Sequence, residues 1–125
     1  MNNKLRHIRS FVLRQGKITI GQKNAIEQLM PLHGIEYTPH TINFPETFNN
    51  TNPVIIEIGF GMGSATWQIA KQHPNCNYLG IEVHGPGVGT LLMQIKEHNL
   101  ANLKIIQHDA IEVIKTMKII HKYSR

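Results

Sequence analysis

The sequence predicts an α/β fold, half of a doubly wound parallel sheet that follows a helical segment. Three short apolar runs of strand length alternate with three segments in which apolar residues recur at helical spacing. A series of alternating glycines follows the first apolar run, where a strand is expected to turn sharply into a helix. At 125 residues, the chain has the size of one domain.

One helix and a loop are predicted ahead of the sheet. Thr19 and Gln22 have the spacing of a capping box, and apolar residues at helical spacing follow them. Pro31 and Gly34 are expected to end this helix. Residues 35–53 are rich in proline, asparagine and threonine, which predicts a loop.

Strands and helices are predicted to alternate from residue 54 onward. Strands are expected at residues 54–58, 78–83 and 103–106, and helices from 64 to 73, from 85 to 99 and from 110 onward. Ser64 is expected to cap the first of these helices. The second should bury one face, formed by Val88, Leu91, Leu92 and Ile95.

Burial can be predicted from the same runs. The first strand is almost continuously apolar, which predicts burial on both faces, as in a parallel sheet. The last helix is expected to carry Ile111, Ile114 and Met117 on one side. The outer edge of the third strand is expected to remain uncovered.

Three acidic residues fall at the carboxyl ends of the three predicted strands: Glu57, Glu82 and Asp109. In open parallel sheets, ligands bind outside this edge. Any one of these residues could merely cap a helix or face solvent. Because three of the eight acids in the chain coincide there, the sequence predicts a ligand site.

The predicted turn at Gly59, Gly61 and Gly63, called the glycine turn below, restricts which class of ligand can bind. Gly59, Gly61 and Gly63 follow the pattern G-x-G-x-G, whereas the dinucleotide fingerprint requires its third glycine at position 64, which is Ser64. The carboxylate of Glu57 just before the turn disfavours a pyrophosphate and suits a cationic group, such as the amine of a methionine moiety. Both features argue against a fragment of a nicotinamide-dependent oxidoreductase.

The order of the three acids matches S-adenosyl-L-methionine. Glu57 is expected to bind the amine, Glu82 the hydroxyls of the ribose, and Asp109 the amino group of the adenine. The glycine turn would approach the cofactor between them. No metal site is predicted, because the histidines are scattered and Cys76 is the single cysteine.

Charge is divided unevenly along the chain. Residues 1–23 carry a net charge of +6, residues 24–114 a net charge of −5, and residues 115–125 a net charge of +4. A basic arm on a mildly acidic core favours a polyanionic partner such as RNA, with a solvated N-terminus as the alternative. Without a signal sequence or a run long enough to span a membrane, a cytoplasmic protein with no membrane partner is expected.

Three stretches resemble the bacterial tRNA (guanine-N7-)-methyltransferases, a branch of the class I S-adenosylmethionine-dependent enzymes. These are RSFVLRQG at 9–16, IEIGFGMG at 56–63, and GIEVH with PGVG within 80–89. The resemblance covers residues 5–117 and corresponds to the N-terminal half of the family. It implies a Rossmann-like class I methyltransferase fold and methyl transfer from S-adenosyl-L-methionine to N7 of a guanine in tRNA.

The resemblance also implies roles for individual residues. Glu57, Glu82 and Asp109 match the cofactor-binding acids of the family, and Arg9 and Arg14 match its arm, which is expected to touch tRNA. Family members continue into a fourth strand, a Phe-Pro-Asp-Pro-Trp motif and a basic run, which shape the guanine pocket. None of these is found in this sequence, so no catalytic residue is assigned.

Three segments are therefore expected. Residues 1–52 form a basic arm, residues 53–117 form a half-domain that binds the cofactor, and residues 118–125 are a tail that does not resemble the family. Our hypothesis is a truncated or frame-shifted copy of a methyltransferase. The alternative is a stand-alone module that binds S-adenosyl-L-methionine without catalysis.

Overall fold

The computed structural model describes residues 17–117 of the chain. Arg9, Arg14 and residues 118–125 lie outside this range, so the predictions for them remain predictions. The elements within it are α1 (Ile20–His33), α2 (Phe44–Phe48), β1 (Val54–Ile58), α3 (Ser64–Gln72), β2 (Asn77–Ile81), α4 (Gly85–His98), β3 (Leu103–Ile106) and α5 (Ala110–Thr116).

The three strands form one parallel sheet in the order β1-β2-β3. Ile58 lies opposite Ile81, and Ile81 lies opposite Ile106. The carboxyl ends of all three strands therefore meet at one edge of the sheet. The predicted α/β fold with a β-α-β-α-β-α order is confirmed.

Two apolar clusters cover the two faces of the sheet. Helices α1, α3 and α4 contribute to the cluster on one face, and α2 and α5 to the cluster on the other. The side chains of β2 alternate between them, because Tyr78 belongs to the first cluster and Leu79 to the second. The inner face predicted for α4 is buried throughout, as its residues Val88, Leu91, Leu92 and Ile95 show.

Helix α1 begins with the predicted capping box. Thr19 Oγ1 accepts a hydrogen bond from the backbone N–H of Gln22, and Gln22 Oε1 accepts one from the N–H of Thr19. The prediction that Pro31 ends the helix was wrong, since α1 continues to His33 with Gly34 as its C-cap. A proline in the last turn removes one helical hydrogen bond, and the packing of α1 on the sheet offsets that loss.

The predicted loop at residues 35–53 contains the short helix α2, so the prediction was wrong for those five residues. Asn43 caps α2 by accepting a hydrogen bond from the N–H of Glu46, and Asn49 ends it with a φ of 60°. Phe44 and Phe48 are buried in the second cluster. This burial of two aromatic rings favours a helix in a stretch whose composition indicates a loop.

Two further details of the helices differ from the predictions. Gly63, with a φ of 78°, is the N-cap of α3, and Ser64 is its first residue rather than its cap. On α5, Val113 and Met117 are buried, whereas Ile111 is 68% exposed and Ile114 is 40% exposed. Of the three residues expected to share one side, only Met117 is buried, and it packs with Val113 in the second cluster.

The two outer strands also differ from expectation. In β1, Ile55 is 44% exposed and Ile58 is 54% exposed, so the prediction of burial on both faces was wrong. No described residue pairs with the outer edge of β1, which leaves that side open to water. The edge of β3 is partly covered instead, because the N–H of Ile35 donates a hydrogen bond to the carbonyl of Ile105 at 2.8 Å.

Helices α1 and α4 touch at a glycine. A Cβ atom added to Gly89 would lie 2.6 Å from the carbonyl oxygen of Gln22 and 2.8 Å from its Cα. Both are backbone atoms, which cannot move aside as the end of a side chain would. The Gln22 side chain also donates a hydrogen bond to Thr90 Oγ1 at 3.1 Å. The described part of the N-terminal segment is therefore packed closely on the half-domain.

Substitution of Gly89→Ala is expected to lower the free energy of unfolding by ~1–3 kcal/mol, the typical effect of overpacking. The added methyl group forces α1 away from α4. Chemical denaturation followed by circular dichroism measures the change.

The matched control is Gly21→Ala, also at a helical glycine, where the nearest atom to an added Cβ is Thr19 Oγ1 at 4.0 Å. Alanine in a helix is favoured over glycine by roughly 0.5–1 kcal/mol, so this variant should be at least as stable as the original chain. Equal stability of the two variants would contradict the close contact.

Candidate functional site

The turn between β1 and α3 is held in a conformation that favours glycine. Gly59, Gly61 and Gly63 have φ angles of 71°, 64° and 78°. All three are in the left-handed region, where a side chain would strain the backbone. A Cβ atom on Gly59 or Gly61 would meet no other atom within 4 Å. The outer side of the turn is thus open space, as an approaching ligand would require.

The N–H groups of the three glycines are already used within the protein. Gly59 donates to the carbonyl of Ile81 at 2.8 Å, and Gly63 donates to the carbonyl of Phe60 at 3.0 Å. Gly61 donates to Glu82 Oε1 at 2.8 Å. These donors cannot also bind phosphate oxygens, which agrees with the sequence argument against a pyrophosphate ligand.

The buried carboxylate of Glu82 connects two turns at the carboxyl edge of the sheet. Besides the bond from Gly61, its Oε2 accepts hydrogen bonds from the N–H groups of Val83 at 3.0 Å and His84 at 3.1 Å. Three backbone donors therefore converge on one side chain. The first turn follows β1 and the second leads from β2 into α4, so Glu82 fixes their relative positions.

Two glycines that the sequence analysis assigned no role bring these turns together. A Cβ on Gly87 would lie 1.8 Å from the carbonyl oxygen of Gly61, and a Cβ on Gly80 would lie 2.7 Å from the ring of Phe60. Each glycine therefore permits a close approach that any other residue would prevent. Their unusual places, one inside a strand and one in the first turn of a helix, were the signal available in the sequence.

Glu57 is held by a residue that the sequence analysis missed. Thr66, which is buried on α3, donates a hydrogen bond from its hydroxyl to Glu57 Oε1 at 2.8 Å. Glu57 itself is half-buried on β1 and lies at a groove of about 520 Å³. A threonine in a helix gives no sequence signal for this contact, which depends on how α3 packs against β1.

Asp109 caps α5, because its Oδ2 accepts a hydrogen bond from the N–H of Glu112 at 3.2 Å. Beside it, the ring of His108 stacks on Tyr37 at 3.7 Å, and His108 Nε2 lies 2.6 Å from Glu112 Oε1. Asp109 therefore does cap a helix, which is the alternative role that the sequence analysis left open for each of the three acids. The cap uses Oδ2. Among the described residues, no donor forms a hydrogen bond with Oδ1.

The structure thus places Glu57, Glu82 and Asp109 at the carboxyl ends of three neighbouring strands, and Glu82 contacts the glycine turn through Gly61. Their binding roles remain predictions, as do those of Arg9 and Arg14. Among residues 17–117, no group of three or more histidine, cysteine, aspartate or glutamate side chains is arranged to hold a metal ion. Over the same residues, no helix has the length and apolar character needed to cross a membrane.

Comparison with known proteins identifies a family. Residues 51–123 match the family described as "Putative methyltransferase". A curated relative from Chromobacterium violaceum, named tRNA (guanine-N(7)-)-methyltransferase, is 54% identical over 112 residues, which cover 90% of this chain and 50% of the relative. A relative of the same name from Methylobacillus flagellatus is 51% identical and covers 90% of this chain and 48% of its own length.

The chain spans about half the length of the curated relatives it matches. Among solved structures, an antibiotic-related methyltransferase is similar, with a TM-score of 0.49 and 20% identity, over 58% of this chain and 41% of that chain.

Substitution of Glu82→Ala is expected to destabilise the chain strongly, since it leaves three backbone N–H groups without their acceptor. Each buried donor left unpaired costs roughly 1–3 kcal/mol, so the free energy of unfolding should fall by at least that much. Chemical denaturation measures the loss. Glu97→Ala, at an exposed acid on α4, is the matched control and should change stability by less than ~0.5 kcal/mol. A Glu82→Ala variant as stable as this control would rule out the connecting role.

Proposed function

The chain belongs to the methyltransferase family matched by residues 51–123, and we propose that it binds S-adenosyl-L-methionine at the carboxyl edge of its sheet. We propose further that this site serves methyl transfer to N7 of a guanine in tRNA, as the name of its relatives suggests. The observation that carries the proposal is that acids from three neighbouring strands lie at one edge of the sheet, where Glu82 is hydrogen-bonded to the glycine turn.

The residues present suit this cofactor. The carboxylate of Glu57 offers a charged acceptor for the ammonium group of the methionine part, and the hydroxyl of Thr66 holds that carboxylate in place. Gly59 and Gly61 leave open space beside it, so the backbone can approach the ligand closely. A glutamate in this position would repel a phosphate, which supports S-adenosyl-L-methionine over a dinucleotide.

Glu82 and Asp109 would bind the nucleoside part. A carboxylate has roughly four acceptor positions, and three donors already occupy positions on Glu82, so room remains for a hydroxyl of the ribose. Asp109 uses one oxygen to cap α5, and its other oxygen can accept a hydrogen bond from the amino group of adenine. Both side chains thus combine a structural contact with a ligand contact.

The bound cofactor supplies a methyl group on a positively charged sulfur. N7 of guanine carries a lone pair and no proton, so the site needs to orient two reactants and does not need a general base. In the proposed arrangement, Glu57 would hold the methionine part of the cofactor, Glu82 its ribose and Asp109 its adenine. The basic residues among positions 1–23, Arg9 and Arg14 among them, would contact the tRNA backbone, and we propose a cytoplasmic location for this reaction.

A second candidate function is binding of S-adenosyl-L-methionine without methyl transfer. The contacts described for Glu57, Glu82 and Asp109 account for cofactor binding alone. This alternative shares the site described above and differs only in the absence of catalysis.

Isothermal titration of the 125-residue chain with S-adenosyl-L-methionine is the first test. Glu57→Gln is expected to weaken binding about tenfold or more, since a hydrogen bond between charged groups contributes roughly 1.5–3 kcal/mol. Glu97→Gln, at an exposed glutamate on α4, should leave the affinity unchanged. Tight binding of NAD with no binding of S-adenosyl-L-methionine would overturn the proposal.

Transfer of a labelled methyl group to unmodified tRNA then separates the two functions. Transfer to N7 of a guanine supports the methyltransferase. If the chain binds the cofactor but transfers no methyl group to tRNA, the result supports the binding module instead.

Thr66 is expected to act as a positioning residue for Glu57. Thr66→Val keeps the shape of the side chain but removes the hydroxyl, and should weaken cofactor binding several-fold because the carboxylate loses its donor. Thr66→Ser keeps the donor and should restore the affinity. A serine variant as weak as the valine variant would show that packing, rather than the hydrogen bond, is what matters at this position.

A further inference from the structure

The turn between β3 and α5 holds Asp109 within a set of polar contacts. His108 Nε2 lies 2.6 Å from Glu112 Oε1, and the backbone N–H of Glu112 donates a hydrogen bond to Asp109 Oδ2 at 3.2 Å. Glu112 therefore contacts both residues of the turn, the histidine through its side chain and the aspartate through its backbone. Because His108 and Asp109 are also neighbours in the chain, the three residues form a closed ring of contacts.

The ring of His108 is held from a second direction by Tyr37, which lies in the segment between α1 and α2. The two rings are stacked, with their centroids 3.7 Å apart and their planes within 6° of parallel. Both side chains are partly exposed. Contact between the two flat rings restricts the rotation of the histidine side chain directly beside Asp109.

The hydroxyl group of Tyr37 contacts the other end of α5. It shares a hydrogen bond with the hydroxyl of Thr116, the last residue of that helix. Thr116 donates its own proton to the carbonyl of Glu112 at 2.7 Å, so Tyr37 is the donor toward Thr116. Tyr37 thus holds α5 at both ends, by its ring at His108 and by its hydroxyl at Thr116.

The segment that carries Tyr37 is fixed on both sides of it. The N–H of Ile35 donates to the carbonyl of Ile105 at 2.8 Å, and the N–H of Ile42 donates to the carbonyl of Met117 at 3.2 Å. These bonds attach the segment to β3 and to the end of α5. The position of the tyrosine ring is therefore determined by the fold around it.

Capping of α5 does not require the stacked rings. An aspartate N-cap needs the backbone N–H of the third helical residue, which Glu112 supplies. The stack of Tyr37 on His108 and the contact of His108 with Glu112 are additional to the cap. They restrict the turn at the point where Asp109 has its second carboxylate oxygen available for a ligand.

We propose that His108 is a positioning residue for Asp109, and that Tyr37 and Glu112 hold His108 in place for this role. The inference rests on the proposed function, in which Asp109 accepts a hydrogen bond from the amino group of adenine. A carboxylate with a fixed direction distinguishes adenine, whose 6-amino group donates, from hypoxanthine, whose 6-oxo group accepts. The cluster thereby determines which base the site selects.

Isothermal titration of the 125-residue chain with two ligands tests this proposal. One is S-adenosyl-L-homocysteine, which is the cofactor without its methyl group. In the other, S-inosyl-L-homocysteine, hypoxanthine replaces adenine. The original chain is expected to bind the adenine compound about tenfold more tightly or better, since the second compound cannot donate the hydrogen bond to Asp109.

His108→Ala and Tyr37→Leu remove the two sides of the stack. Each is expected to weaken binding of the adenine compound about fivefold or more, and binding of the hypoxanthine compound less than about twofold. Tyr37→Phe keeps the stacked ring and loses the bond to Thr116, so it should restore most of the selectivity for adenine. A phenylalanine variant as unselective as the leucine variant would overturn the role assigned to the ring of Tyr37.

His98→Ala is the matched control. His98 also stacks on an aromatic ring, that of Trp67 at 4.1 Å, and its Nδ1 lies 3.2 Å from Lys71 Nζ. It is the last residue of α4, whose 14 residues span about 20 Å from the carboxyl edge of the sheet. This variant should bind both compounds as the original chain does, and a loss of selectivity equal to that of His108→Ala would contradict the proposal.

The outcomes distinguish this inference from the proposed function. If the original chain does not bind S-adenosyl-L-homocysteine, the proposed function fails and the inference fails with it. If the original chain selects adenine and the variants at His108 and Tyr37 select it equally well, the positioning role alone is overturned. Parallel loss of both compounds in variants whose circular dichroism is unchanged would also overturn it, because the cluster would then support the turn without directing Asp109.

Discussion

The arrangement at the carboxyl edge of the sheet depends on one buried carboxylate. Glu82 accepts hydrogen bonds from the N–H groups of Gly61, Val83 and His84. Burial of a charge is costly unless hydrogen bonds compensate for the loss of water, and here three backbone donors do so. Since those donors belong to two separate turns, both turns must hold their positions together. The same interaction that stabilises this edge therefore shapes the proposed cofactor site.

The glycines determine how closely these turns can approach. Gly80 leaves room for the ring of Phe60, and Gly87 leaves room for the carbonyl of Gly61. The turn after β1 is consequently held at two points, where its Phe60 packs on β2 and where its Gly61 packs on α4. A turn held in this way loses little entropy when a ligand binds, and preorganisation of that kind favours affinity. Open space lies beside the turn at Gly59 and Gly61.

Local rules predicted most of the elements but not how the outer ones are covered. The capping box of Thr19 and Gln22, the buried face of α4 and the strand β3 follow from spacing alone. Burial of β1, the orientation of α5 and the helix α2 depend on neighbours that are distant in the sequence. The three acids could be placed at strand ends because parallel strands align there. Thr66 could not be assigned, since its contact exists only in the packed structure, whereas Gly80 and Gly87 were marked by their places in a strand and a helix but not by the atoms they approach.

The open edge and the proposed site share one strand. Glu57 lies between Ile56 and Ile58, whose backbone groups point outward, while its own points to β2. The position of the Glu57 carboxylate therefore depends on two neighbours at once, the hydroxyl of Thr66 on α3 and the pairing of the Glu57 backbone with β2. Both hold it on the strand that leads directly into the glycine turn, so the packing of α3 against β1 determines where the proposed acceptor for the cofactor amine lies.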